Sequence, residues 1–197
     1  MTTISWPSGV SPDSFSLRLQ TVQRSHASPF AGSEQVVDLL NDRWMASMTL
    51  PIRTSAQAAA IEAFVASFRG MTNTINLYHW VRPVPRGTMR GGPSVTATAQ
   101  GASSLSIGTA GAGATLLAGD LISVGGLLLQ IASDVTADGS GFMTTVPLVN
   151  RVRTAIAVNS PVTWDHPTAA FRLISTPTQQ YVPGYAMGVS LDFAEAI

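Results

Sequence analysis

Apolar residues in this chain recur mostly at every second position, in short runs separated by turn formers, a spacing that belongs to strands rather than helices. Phe15, Leu17 and Leu19 alternate with Ser16, Arg18 and Gln20, which predicts a half-buried strand. Residues 36–39 and 44–50 predict two more, with Asn41-Asp42 between them as a hairpin turn. Ile75, Leu77 and His79 then fall on one face of a further strand.

One segment breaks this rhythm. Ile61, Phe64, Val65 and Phe68 stand at i, i+3, i+4 and i+7, the spacing of a single apolar stripe on a helix. Thr54-Ser55-Ala56-Gln57 fits a capping box at its start, and Gly70 can supply the left-handed residue that closes its last turn. A helix over 55–69 is expected, and the small alanines at 58–60 let it lie close against a sheet. Its stripe is then a core-facing side rather than a ligand box.

At Gly91-Gly92-Pro93 the texture changes. From there to about Thr168 charges thin out and Gly, Ala, Ser, Thr and Val dominate. Strands are expected at 94–100, 104–107, 121–124, 127–134, 141–146 and 155–158, with Gly125-Gly126 and Asp138-Gly139 as hairpin turns. After Pro167 the opening pattern returns, with strands near 170–174 and 188–193. The fold class is therefore mainly β. Residues 1–92 and 169–197 form a β-sandwich host domain with one packed α-helix, and 93–168 form a small all-β, barrel-like domain inserted into it. One continuous sandwich is the alternative.

Composition narrows the functional classes. Only 11% of the 197 residues are charged, the eleven bases are all Arg, and they balance eleven acids. Subunit packing explains so few charges, and so does a GC-rich coding genome that replaces Lys by Arg. The absence of Cys excludes disulfides, thiolate chemistry and sulfur-ligated metals. The first residues, Met1 to Pro7, have neither a basic nor an apolar region, so no secretory signal is expected. Apolar runs are broken by Gly119, Asp120, Gly125, Gly126 and Gln130, well short of the ~20 residues a membrane-spanning helix needs.

No catalytic, cofactor or metal set emerges. His26, His79 and His166 lack metal-ligand spacing, and His166 sits in Trp164-Asp165-His166-Pro167, a turn before proline. Residues 134–141 hold part of a calcium-loop pattern but lack its third alternating ligand and its closing Glu. Residues 108–113 are glycine-rich without the Lys of a phosphate loop, no Gly-x-Ser-x-Gly elbow occurs, and Asp192 and Glu195 belong to the chain end. The remaining candidate is Arg82, Pro83, Pro85, Arg86 and Arg90, a proline-stiffened basic loop. Zero net charge argues against sequence-specific nucleic-acid binding, and a stiff loop loses little entropy on docking, so these five are expected as subunit or partner contacts.

Taken in order, Ser28-Pro29-Phe30-Ala31-Gly32, Gln35-Val36-Val37, the run from Arg43 to Pro51, the helix reaching Phe68-Arg69-Gly70, and Pro83 to Gly87 resemble the distal tail proteins of long-tailed bacteriophages. So do Ala118 to Ile122, Asp134 to Gly141, Val146-Pro147-Leu148, Phe171-Arg172-Leu173 and Ser190 to Ala196. The resemblance implies a homo-oligomeric ring, usually hexameric, that joins the tail tube protein to the tip or baseplate hub protein. It also implies a peripheral β domain able to hold receptor-binding or side-fibre proteins, and residence at the virion tail tip after assembly in the bacterial cytoplasm; with no candidate catalytic set among the residues, no enzymatic activity is expected. With only Trp164 and Phe142 as obvious aromatics, the insert departs from the carbohydrate-binding pattern of such domains. Another virion β protein, such as a tube subunit or decoration protein, is the alternative, and a hydrolase or lectin stands behind it.

Overall fold

The computed structural model describes residues 2–27, 32–39 and 41–197. Its strands run β1 (Thr3–Ile4), β2 (Ser14–Gln20), β3 (Gln23–Ala27), β4 (Glu34–Asp38) and β5 (Arg43–Leu50), then helix α1 (Ser55–Ser67) and β6 (Thr74–Leu77). The middle of the chain carries β7 (Ser94–Val95), β8 (Ser104–Gly108), β9 (Thr115–Leu116), β10 (Leu121–Val124), β11 (Leu127–Gln130), β12 (Val135–Thr136), β13 (Met143–Pro147) and β14 (Ser160–Thr163). It closes with β15 (Ala169–Leu173), β16 (Tyr181–Val182), β17 (Tyr185–Ala186) and β18 (Val189–Glu195). The fold is mainly β, with one helix among the described residues. That helix is too short to cross a membrane.

Two compact units divide the chain, one from residues up to 18, 44–83 and 166–197, the other from 19–43 and 84–165. The first contains a six-stranded sheet in the order β1-β6-β15-β18-β5-β2. Period-two alternation decides its faces: Trp44, Ala46, Met48 and Leu50 of β5 are buried, as are Leu191 and Phe193 of β18 and Phe171 and Leu173 of β15. The register lines these up, with Ala46 opposite Phe193, Met48 opposite Leu191 and Phe193 opposite Leu173. Ser47, Thr49, Ser190 and Asp192 alternate with them on the opposite face and are exposed.

Helix α1 covers the apolar face with the expected stripe. Ile61, Phe64, Val65 and Phe68 are all buried, Phe68 completely, and its ring lies 5.9 Å from that of Phe193 and 5.1 Å from that of Phe64. Each such large side chain contributes about 1.5–3 kcal/mol by leaving water. The Thr54–Gln57 capping box is present, and the chain leaves the helix through left-handed Arg69 (φ 48) and Gly70 (φ 71). The last helical residue is Ser67 rather than Arg69, because the tight turn at the stop consumes the final positions.

In the second unit six strands follow the order β11-β10-β14-β7-β8-β13. The two ends of this order meet: Ile131 bridges Leu148, Val149 N–H donates to the Gln130 carbonyl at 2.9 Å, and Ala132 N–H to the Pro147 carbonyl at 2.9 Å. The sheet therefore curls on itself in a barrel-like way. Leu105, Ile107, Ile122, Val124, Leu129, Ile131, Met143 and Val146 fill its interior.

Several expectations need correction. β4 does not pair with β5 through a turn at Asn41-Asp42; it pairs with β3, and β5 pairs with β18. Only β5 alternates over enough apolar positions to take a place over the core, whereas β3 reads Gln-Arg-Ser-His-Ala and carries no apolar signal to find it by. The strand expected at 155–158 lies instead at Ser160–Thr163, residue 156 making only an isolated bridge to Thr98. Asp138-Gly139 forms a tight turn, but its flanking strands β12 and β13 pair with β9 and β8 rather than with each other. The compact unit that holds the strands of the middle of the chain comprises 84–165 together with 19–43, and Met89 is fully buried in its core.

Candidate partner-binding surfaces

The Arg/Pro loop is the contact site expected from sequence. Arg82 and Pro83 belong to the first unit, where Arg82 N–H donates to the His79 carbonyl at 3.0 Å and to His79 Nδ1 at 3.1 Å. His79 is buried beside the Phe15 ring, and loss of solvation, aided by repulsion from Arg82, lowers its pKa below the usual histidine value. A neutral imidazole that accepts a backbone N–H is what that site favours.

Pro85, Arg86 and Arg90 belong to the second unit, and a residue that sequence reading passed over organises them. Asp120, 4% exposed, accepts from the backbone N–H of Arg86 (2.9 Å), Gly87 (3.0 Å) and Leu117 (2.8 Å). The Arg86 guanidinium donates to the Ala118 carbonyl at 2.5 Å and lies 3.7 Å from the Asp120 carboxylate, yet its side chain stays 59% exposed. Gly87 presses so closely on β9 that a Cβ there would sit 2.2 Å from the Thr115 carbonyl oxygen. Arg90 turns inward on its own loop: Nη1 donates to the carbonyls of Gly87 (2.9 Å) and Met89 (2.6 Å), and Nη2 to that of Pro85 (3.2 Å). Its guanidinium carbon lies 4.9 Å from the centre of the Trp164 ring, whose Nε1–H donates to the Gly91 carbonyl. Of the three, Arg86 presents its side chain outward while Arg90 fastens its own loop. The signal for Asp120 was an acid heading a four-residue apolar strand, where only a satisfied carboxylate is tolerated.

Other suggestive residues have local partners. Asp138 Oδ1 accepts from the N–H and hydroxyl of Ser140 and the N–H of Phe142, contacts that hold its pKa down, the Ser140 hydroxyl first. Asp134 accepts from Ala118 N–H at 2.7 Å. Asp192 accepts from the Ser47 hydroxyl at 2.6 Å, while Glu195, buried, accepts from Trp44 N–H at 3.0 Å. His166 takes a left-handed backbone (φ 50), its N–H donates to the Pro83 carbonyl at 2.8 Å, and its ring packs edge-on against Tyr78. Among the described residues no group of three or more His, Asp or Glu is placed to share a metal ion.

A surface that sequence reading did not single out is the β3–β4 ribbon, in which every residue of both strands is exposed. Val36 is 57% and Val37 37% exposed. Ser28 to Ala31, part of the family likeness, lie outside the described residues. No protein-family model matches the chain, and no curated protein matches its sequence.

Proposed function

We propose that this chain is a structural virion protein that forms a homo-oligomeric, hexameric ring at the distal end of a phage tail tube and joins the tube to the tip or baseplate hub. In this reading the helix-backed sheet and the β3–β4 ribbon build the ring, and the barrel-like strands between residues 84 and 165 serve as a platform for receptor-binding or side-fibre proteins. The β3–β4 ribbon is the observation that carries it. A two-stranded ribbon exposed along both strands is marginal by itself in water, and it gains stability by contact with another chain. The ordered sequence motifs support the identity of that assembly, and the backbone N–H groups that donate to Asp120, Asp134 and Asp138 give these carboxylates structural work, which supports a scaffold reading.

The test is native mass measurement and electron microscopy of the purified protein, alone and mixed with tail tubes. Closed rings that cap tubes are the expected result. Open filaments would reassign the chain as a tube subunit, and a monomer that also fails to join assembled tails would remove the proposal.

A further inference from the structure

The register of the β3–β4 ribbon sorts its side chains into two unlike faces. Directly opposed residues share a face in an antiparallel pair. Gln23 opposes Asp38, Ser25 opposes Val36 and Ala27 opposes Glu34, so one face carries two acids, one valine and no base. Arg24 opposes Val37 and His26 opposes Gln35, so the other carries an arginine, a histidine, one valine and no acid. Both faces are exposed. An ordinary solvated ribbon has no reason to segregate its charges by face, and a surface that joins identical copies head to tail does, since one face must be complementary to the other.

Resting on the ring reading above, we infer that the ribbon is the joint between neighbouring copies of this chain, the Glu34/Val36/Asp38 face of one copy packing on the Arg24/Val37 face of the next. A two-fold contact would place acid against acid or Arg against Arg, which like-charge repulsion disfavours. The head-to-tail contact uses two different patches, and such contacts generate rings when the rotation closes. Val36 and Val37 supply the apolar centre, and the charges set direction.

Because the chain has no native cysteine, single thiols report this contact directly. Ser25→Cys marks the acidic face and Gln35→Cys the opposite one, and both positions are exposed, so folding is unaffected. Under mild oxidation a mixture of the two full-length variants, on tubes or free, should give disulfide-linked dimers, and each variant alone should give few. Adding Arg24→Glu to the Gln35→Cys protein should reduce that yield at least several-fold, and adding Glu34→Arg to its partner should recover it. Efficient linking of either variant to itself overturns the head-to-tail joint. Closed wild-type rings with no linking in the mixture overturn the ribbon's role while leaving the ring reading standing, and mixed linking without any closed ring does the reverse.

Discussion

Replacing Asp120 by Ala tests whether the chain segment leading into the barrel is held by one buried carboxylate. The substitution removes the acceptor for three backbone N–H groups at 2.8–3.0 Å, and the Gly87 N–H among them is buried. A buried donor left unsatisfied costs about 1–3 kcal/mol, and bonds to a charged acceptor are worth about 1.5–3 kcal/mol each. The Arg86 and Leu117 N–H groups are only partly buried and regain water, so the three losses do not simply add. The expected destabilisation is about 3–5 kcal/mol. Asp120→Asn keeps the volume but turns one acceptor into a donor facing an N–H, with an expected cost of about 1–3 kcal/mol. A chain of two units need not unfold in one step, so the measurement is urea unfolding followed by hydrogen exchange in peptides from 104–148, which report the barrel. Gly87→Ala is the companion, because its Cβ meets backbone atoms of Thr115 and Leu116 at 2.2–2.8 Å, and backbone cannot swing aside as a side chain does. If Asp120→Ala shifts barrel stability by less than about 1 kcal/mol, the carboxylate is not the anchor and the argument is refuted.

Three further outcomes are expected. Phe68→Ala, at a fully buried ring packed on Phe64 and Phe193, should cost about 3–5 kcal/mol in the first unit by thermal or urea unfolding, and an unchanged transition would mean that α1 does not cover the sheet. Because the folded pKa of His79 lies below its ordinary value of 6.5, the unfolded chain binds the extra proton first; stability should be level above that pH and fall as pH drops through it. The fall should not exceed about 1.4 kcal/mol per pH unit, and His79→Gln should flatten it. Since His166 N–H donates to the Pro83 carbonyl, a short Gly/Ser linker replacing 84–165 should leave a first unit that folds by circular dichroism, and an unfolded product would show that the two units need each other.

Local patterning was sufficient wherever a residue's environment follows from its neighbours in sequence. The stripe of Ile61, Phe64, Val65 and Phe68, the Thr54–Gln57 cap, the alternation in β5 and the Gly125-Gly126 turn each encode their own geometry, because helix and strand periods fix which side chains share a face. The pairing of the chain's last strands with those of its first half was also legible: β15 pairs with β6 and β18 with β5. What sequence could not supply was partnership across long separations. β4 chose β3 over β5 by a competition for the core that Val36 and Val37, adjacent and facing opposite sides, could not win. Asp120 looked like an interruption in an apolar run until the Arg86 and Gly87 N–H groups, more than thirty residues away, arrived at its oxygens. Arg90 was expected from sequence as a subunit or partner contact, and only the fold brings its own loop carbonyls and Trp164 to its guanidinium. A polar side chain's role depends on which buried donors and acceptors the fold brings to it, and only the closed chain decides that.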